Sequence, residues 1–201
     1  MWRMLALGDS YTIGEAVRGP ARWPNVLARL LRARHLPIAR PQMIAKTGWT
    51  SEELLGAIKR RALRGPYRLV TLLIGVNNQY RGMDLADYAR DLQELLERAQ
   101  ALTGEQGGVL MLSIPDWGVT PFAQTLDRQP SAIAEQIDEY NSTAAGLARS
   151  SQIPFVDVTA ISRAQNAALA EDGLHPAAAQ YRAWASAAVH SAESILRRLK
   201  F

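Results

Sequence analysis

At 201 residues with 48% hydrophobic content, the chain can bury one sizeable core, and a single domain spanning residues 1–201 is expected. The absence of cysteine excludes disulfides, thiolate catalysis and cysteine-bound metals, and no run of about 18 apolar residues is present for a membrane span. The net charge of +4 rests mostly on arginines scattered over alanine-rich segments; Lys59-Arg60-Arg61 with Arg64, and Arg197-Arg198 with Lys200, lack interleaved aromatics and read as solvated helix faces, so no nucleic-acid partner is expected.

Strand-like sequence from Trp2 to Leu7 begins almost at Met1, leaving no room for a signal peptide, and a cytoplasmic location is the expectation. A helix follows over Trp23–Arg34, with Val26, Leu27, Leu30 and Leu31 at helical spacing. Met43-Ile44-Ala45 reads as a short second strand. Thr50 or Ser51 can cap the next helix, with Glu52 or Glu53 near its positive end, and Gly65-Pro66 closes it. The apolar run Leu69–Ile74 suits a central parallel strand covered on both faces. Asp84 caps a helix over Leu85–Leu102 that buries Leu92, Leu95, Leu96 and Ala99. Val109–Ile114 is the fourth strand and Phe155–Val158 the fifth, separated by a long loop from Pro115 to Gln129 and a helix over Ser131–Ser150; a last helix runs from Ala177 to Leu199. This alternation predicts an α/β fold: a three-layer α/β/α arrangement around a five-stranded parallel, doubly wound, flavodoxin-like sheet.

The first strand runs into Gly8-Asp9-Ser10, which places a serine hydroxyl at the carboxyl edge of the sheet, where open α/β proteins carry their chemistry. Ser10 is the candidate nucleophile; a helix-capping role is the alternative. Far downstream, Asp172-Gly173-Leu174-His175-Pro176 supplies an imidazole to take the serine proton and a carboxylate to orient it, although Asp-Gly pairs also favour surface turns. His35 and His190 lie at a helix end and inside a helix, which favours solvated or capping roles. A tetrahedral oxyanion also needs preorganised donors. Thr47-Gly48-Trp49 and Gly75-Val76-Asn77-Asn78, each following a strand, could supply them or could be turns only. Thr12 stands where the second glycine of Gly-x-Ser-x-Gly would be, so the nucleophile elbow of α/β-hydrolases does not fit.

These four segments, in this order from Gly8 to Pro176, resemble the blocks of the SGNH hydrolases, the GDSL-type esterases. The resemblance implies a serine hydrolase that cleaves carboxylic esters through an acyl-serine intermediate. Ser10, Asp172 and His175 would form the catalytic set, with the family's acid three residues before its histidine. Ser10, Gly48 and Asn77 would form the oxyanion hole. Tyr11 replaces the leucine of the family's common name, and Asn78 stands where many members carry aspartate. Gln79-Tyr80-Arg81 looks like the corresponding segment of bacterial lysophospholipase-related members; lysophospholipids, acetylated sugars, aryl esters and thioesters are the substrates implied. A small-molecule ester partner, no cofactor and no metal are expected, since no metal-binding histidine pair or phosphate-binding loop occurs. A serine acyltransferase on the same site and a non-catalytic binding protein on the same scaffold are the alternatives. Trp117 and Phe122, in the loop that follows the fourth strand, either tuck onto the core or form the wall of an acyl or alcohol pocket.

Overall fold

The computed structural model describes residues 1–61, 63–105, 107–164 and 167–198; the expected helix end at Leu199 and the basic Lys200 lie outside the described residues. Five strands, β1 (Met4–Gly8), β2 (Gln42–Ala45), β3 (Leu69–Leu73), β4 (Gly108–Leu112) and β5 (Phe155–Val156), form one parallel sheet in the order β2-β1-β3-β4-β5. Every residue of β1 and β3 is buried, which is why both read as largely apolar runs, with Thr71 the one polar side chain between them. Trp2 lies outside β1 and bridges instead to Ile38. The last strand is shorter than its apolar sequence predicts. The N–H of Val158 donates to the Ser113 side chain at 2.8 Å, so it is lost to the ladder.

The long helices are α2 (Trp23–Ala33), α3 (Ser51–Arg61), α5 (Leu85–Thr103), α6 (Pro130–Ser150) and α8 (Ala178–Arg197). In one group α2 packs on α8; in the other α3 packs on α5 and α5 on α6. Leu92, Leu95, Leu96 and Ala99 of α5 are fully buried, as their spacing predicts. Three short helices, α1 (Ser10–Ile13), α4 (Val76–Tyr80) and α7 (Thr159–Arg163), lie outside the helices read from the sequence. The chain leaves β1 for β2 on one side and returns to β3 on the other. This reversal puts the switch point of the sheet at the carboxyl ends of β1 and β3, where ligands of open α/β sheets bind. Ser10 and Asn77 both follow directly from these two ends.

Candidate active site

Ser10 is the first residue of α1, and the capping role belongs to its neighbour: Asp9 accepts the N–H of Tyr11 through Oδ1 at 3.0 Å. Close approach of the backbone makes Gly8 obligatory, because a Cβ there would collide with the Leu73 carbonyl and the Thr12 side chain. Asp9 is fully buried and its Oδ2 has no hydrogen-bond partner among the described residues. Burial pushes this carboxyl up to about 7, against the lowering effect of the N–H groups of Tyr11 and Asp9.

Asp172 and His175 meet within one tight turn. Oδ1 of Asp172 accepts the N–H groups of Leu174 at 3.0 Å and His175 at 2.9 Å, while Oδ2 lies 2.6 Å from His175 Nδ1. Burial raises the Asp172 carboxyl, but the hydrogen bonds from the His175 ring and from the two N–H groups outweigh it and hold the carboxyl below its ordinary range. The His175 ring packs on Tyr11 with centroids 5.4 Å apart. Ser10 and His175 are both buried; His35 and His190 are exposed.

Gly48 adopts a φ of +82°, which favours glycine over any side chain at this turn. Its carbonyl accepts Arg81 Nη2 at 2.5 Å, and the carbonyl of Trp49 accepts Asn77 Nδ2 at 3.0 Å. Thr47 is hydrogen-bonded to Glu15. Of the two caps that the sequence allows for α3, Thr50 takes the role in a reciprocal capping box: its N–H donates to Glu53 Oε2 at 2.9 Å, and Glu53 N–H donates to Thr50 Oγ1 at 3.3 Å. Asn78 is fully buried and its side-chain amide bonds to Ser51. It accepts Ser51 N–H at 3.0 Å and donates to Ser51 Oγ at 2.8 Å, which in turn donates to Asp91 at 2.8 Å.

Ser10, Asn77 and His175 line one cleft of about 160 Å³, together with Trp117 and Phe122. Trp117 is 2% exposed: it packs on the core and also lines the cleft. Val76, Tyr80 and Leu174 complete the apolar wall. Sequence reading missed them, although Val76 and Tyr80 stand four residues apart, on one face of the short helix that carries Asn77. Gly48 lies in the turn bonded to Asn77. No group of three metal-ligating side chains occurs among the described residues, and no helix there is long and apolar enough to cross a membrane.

The model of the GDSL-like lipase/acylhydrolase family matches residues 6–183. No match was found among curated protein sequences. Similar solved structures include TesA, with 20% identity over 96% of this chain and 99% of that one at a TM-score of 0.76. A lipase/acylhydrolase from Enterococcus faecalis has 20% identity over 100% and 98% of the two chains at a TM-score of 0.76. An acetyl xylan esterase from Geobacillus stearothermophilus has 22% identity over 95% and 94% at a TM-score of 0.72. These likenesses show a shared fold, and the family match over most of the chain shows that the protein belongs to the GDSL-like lipase/acylhydrolase family of ester hydrolases.

Proposed function

We propose that the protein, acting as one domain, hydrolyses small carboxylic esters through an acyl-serine intermediate. The observation that carries this reading is the 2.6 Å contact between Asp172 and His175 Nδ1, on a ring that lines the same cleft as Ser10 and Asn77. With Nδ1–H donated to Asp172, the tautomer leaves Nε2 free to accept the Ser10 proton as Oγ attacks the ester carbonyl. The carboxylate of Asp172 then stabilises the imidazolium. Collapse of the tetrahedral intermediate breaks the bond to the alcohol, which takes the proton from Nε2. Water, deprotonated by His175, releases the acid and restores Ser10.

The oxyanion is assigned to the N–H groups of Ser10 and Gly48 and to Asn77. One hydrogen of the Asn77 amide is committed to the Trp49 carbonyl, and the other remains for the substrate. Trp117 and Phe122 are assigned to the apolar wall that receives the acyl or alcohol group, a reading supported by their place in the cleft.

A fluorophosphonate probe tests the assignment. Labelling is expected on Ser10, absent in Ser10→Ala and sharply reduced in His175→Ala; undiminished labelling of Ser10→Ala overturns it.

A further inference from the structure

The aromatic wall of the cleft is clamped from behind by a hydrogen-bonded frame. The indole N–H of Trp117 donates to Gln79 Oε1 at 2.7 Å, and Gln79 Nε2 donates to Gln136 Oε1 at 2.7 Å. Gln136 Oε1 also accepts Arg128 Nη2 at 2.9 Å, and Arg128 Nη1 donates to the Tyr80 carbonyl at 3.2 Å. The Arg128 guanidinium lies 5.4 Å from the Trp117 ring centroid, while Tyr80 meets the same indole edge-on at 5.4 Å. Gln79 is 1% exposed and Trp117 2%. Swinging the indole aside would therefore leave a buried N–H and a buried amide oxygen without partners, which opposes the movement.

Gln79 and Tyr80 belong to the five-residue helix α4 that also carries Asn77. The wall that ends the pocket and the donor assigned to the ester oxygen are thus fixed to one rigid piece. While the Gln79–Trp117 hydrogen bond holds, their separation is set by that helix. A cavity of about 150 Å³ holds a benzene-sized group of about six heavy atoms, and the cleft here has about 160 Å³.

Resting on the serine-hydrolase reading above, we infer that the site is specific for esters of short acyl groups, from acetyl to about butyryl, and that Gln79 is the positioning residue that sets this limit by holding Trp117. Gln136 is the acceptor that aligns Gln79. Since one methylene in a hydrophobic pocket changes discrimination about 10- to 200-fold, release of the wall registers most strongly on long chains.

The test uses p-nitrophenyl esters from acetyl to decanoyl with the full chain, Ser10→Ala, Gln79→Leu, Gln136→Ala and Gln136→Glu. For the unsubstituted protein, kcat/KM is expected to fall at least about tenfold between butyryl and octanoyl. Gln79→Leu raises the octanoyl-to-acetyl ratio about tenfold or more, chiefly through a lower KM for the long ester. Gln136→Ala, a change at an exposed side chain, shifts the ratio in the same direction and carries the test if Gln79→Leu does not fold. Gln136→Glu retains the acceptor and restores the original ratio. Ester turnover that survives Ser10→Ala refutes the serine reading. Serine-dependent turnover that is equal for octanoyl and acetyl esters, or a ratio unmoved by the Gln79 and Gln136 changes, overturns the short-acyl inference alone.

Discussion

Arg81 donates through Nη2 to the carbonyl of Gly48 at 2.5 Å, tying the end of α4 to the turn that follows β2. Glu53 Oε2 lies 3.5 Å from Arg81 Nη1 and also accepts the Thr50 N–H, so the same guanidinium is braced against the start of α3. Because the Gly48 N–H is one of the donors proposed for the oxyanion, which must be met to a fraction of an ångström, loosening this tie is expected to act on the transition state. Arg81→Ala should lower kcat about ten- to a hundredfold, with partial recovery in Arg81→Lys, which keeps one donor. Steady-state kinetics on an acetyl ester check this; a change confined to KM would place Arg81 in substrate binding.

The Asn77 amide holds the Trp49 carbonyl with one hydrogen, and its other hydrogen is the one proposed to meet the developing negative charge. Its removal to alanine should lower kcat by about 10²- to 10³-fold, the loss found for a single oxyanion donor, while KM changes little. The affinity of a boronic acid that mimics the tetrahedral state should fall in parallel with kcat/KM across a set of Asn77 variants.

Asn78 and Asp91 compete for nothing, because Ser51 offers its one hydroxyl hydrogen to Asp91 while accepting from the Asn78 amide. A carboxylate at position 78 would need that same hydrogen. Asn78→Asp should therefore destabilise the fold by about 1–3 kcal/mol, as a buried acceptor loses its partner. The double change Asn78→Asp with Asp91→Asn should recover most of the loss, since the new amide can donate where the old carboxylate accepted. Urea denaturation midpoints of the two single variants and the double variant measure the coupling.

Asp9 predicts a pH dependence of stability. Its folded-state value, raised to about 7 from 3.8, means that the native protein holds this proton more tightly than the unfolded chain does. The contribution is therefore most favourable below about pH 3.8 and is lost as pH rises through about 7, levelling off above it. Asp9→Asn carries no such titration. The difference in Tm between Asp9→Asn and the unsubstituted protein should grow in favour of the variant from pH 4 to pH 7 and stay constant above; a difference independent of pH would show that Asp9 is already ionised throughout.

Much of this molecule is written in local sequence. The apolar runs that became β1 and β3 and the stripe Leu92, Leu95, Leu96 and Ala99 follow from periodicity, because strand and helix faces repeat over a few residues. The Asp172–His175 pair is legible for the same reason: three residues of turn suffice for one carboxylate to accept two N–H groups and still reach the ring. The short helices α1 and α4 are not legible. With four and five residues they carry no periodic pattern and are held by the strands and loops around them.

What the sequence by itself determined is the order of the strands and long helices, the family resemblance and the local turn that joins acid to base. Only the tertiary structure decided which distant groups brace the site. Gln79 finds Trp117 across 38 residues, Arg81 finds Gly48 across 33, and Ser51 finds Asp91 across 40. None of these pairs lies within one element. A buried polar group must find a partner, but which partner stands within 3 Å is settled by the order in which the strands lie side by side and by the packing of the helices over them.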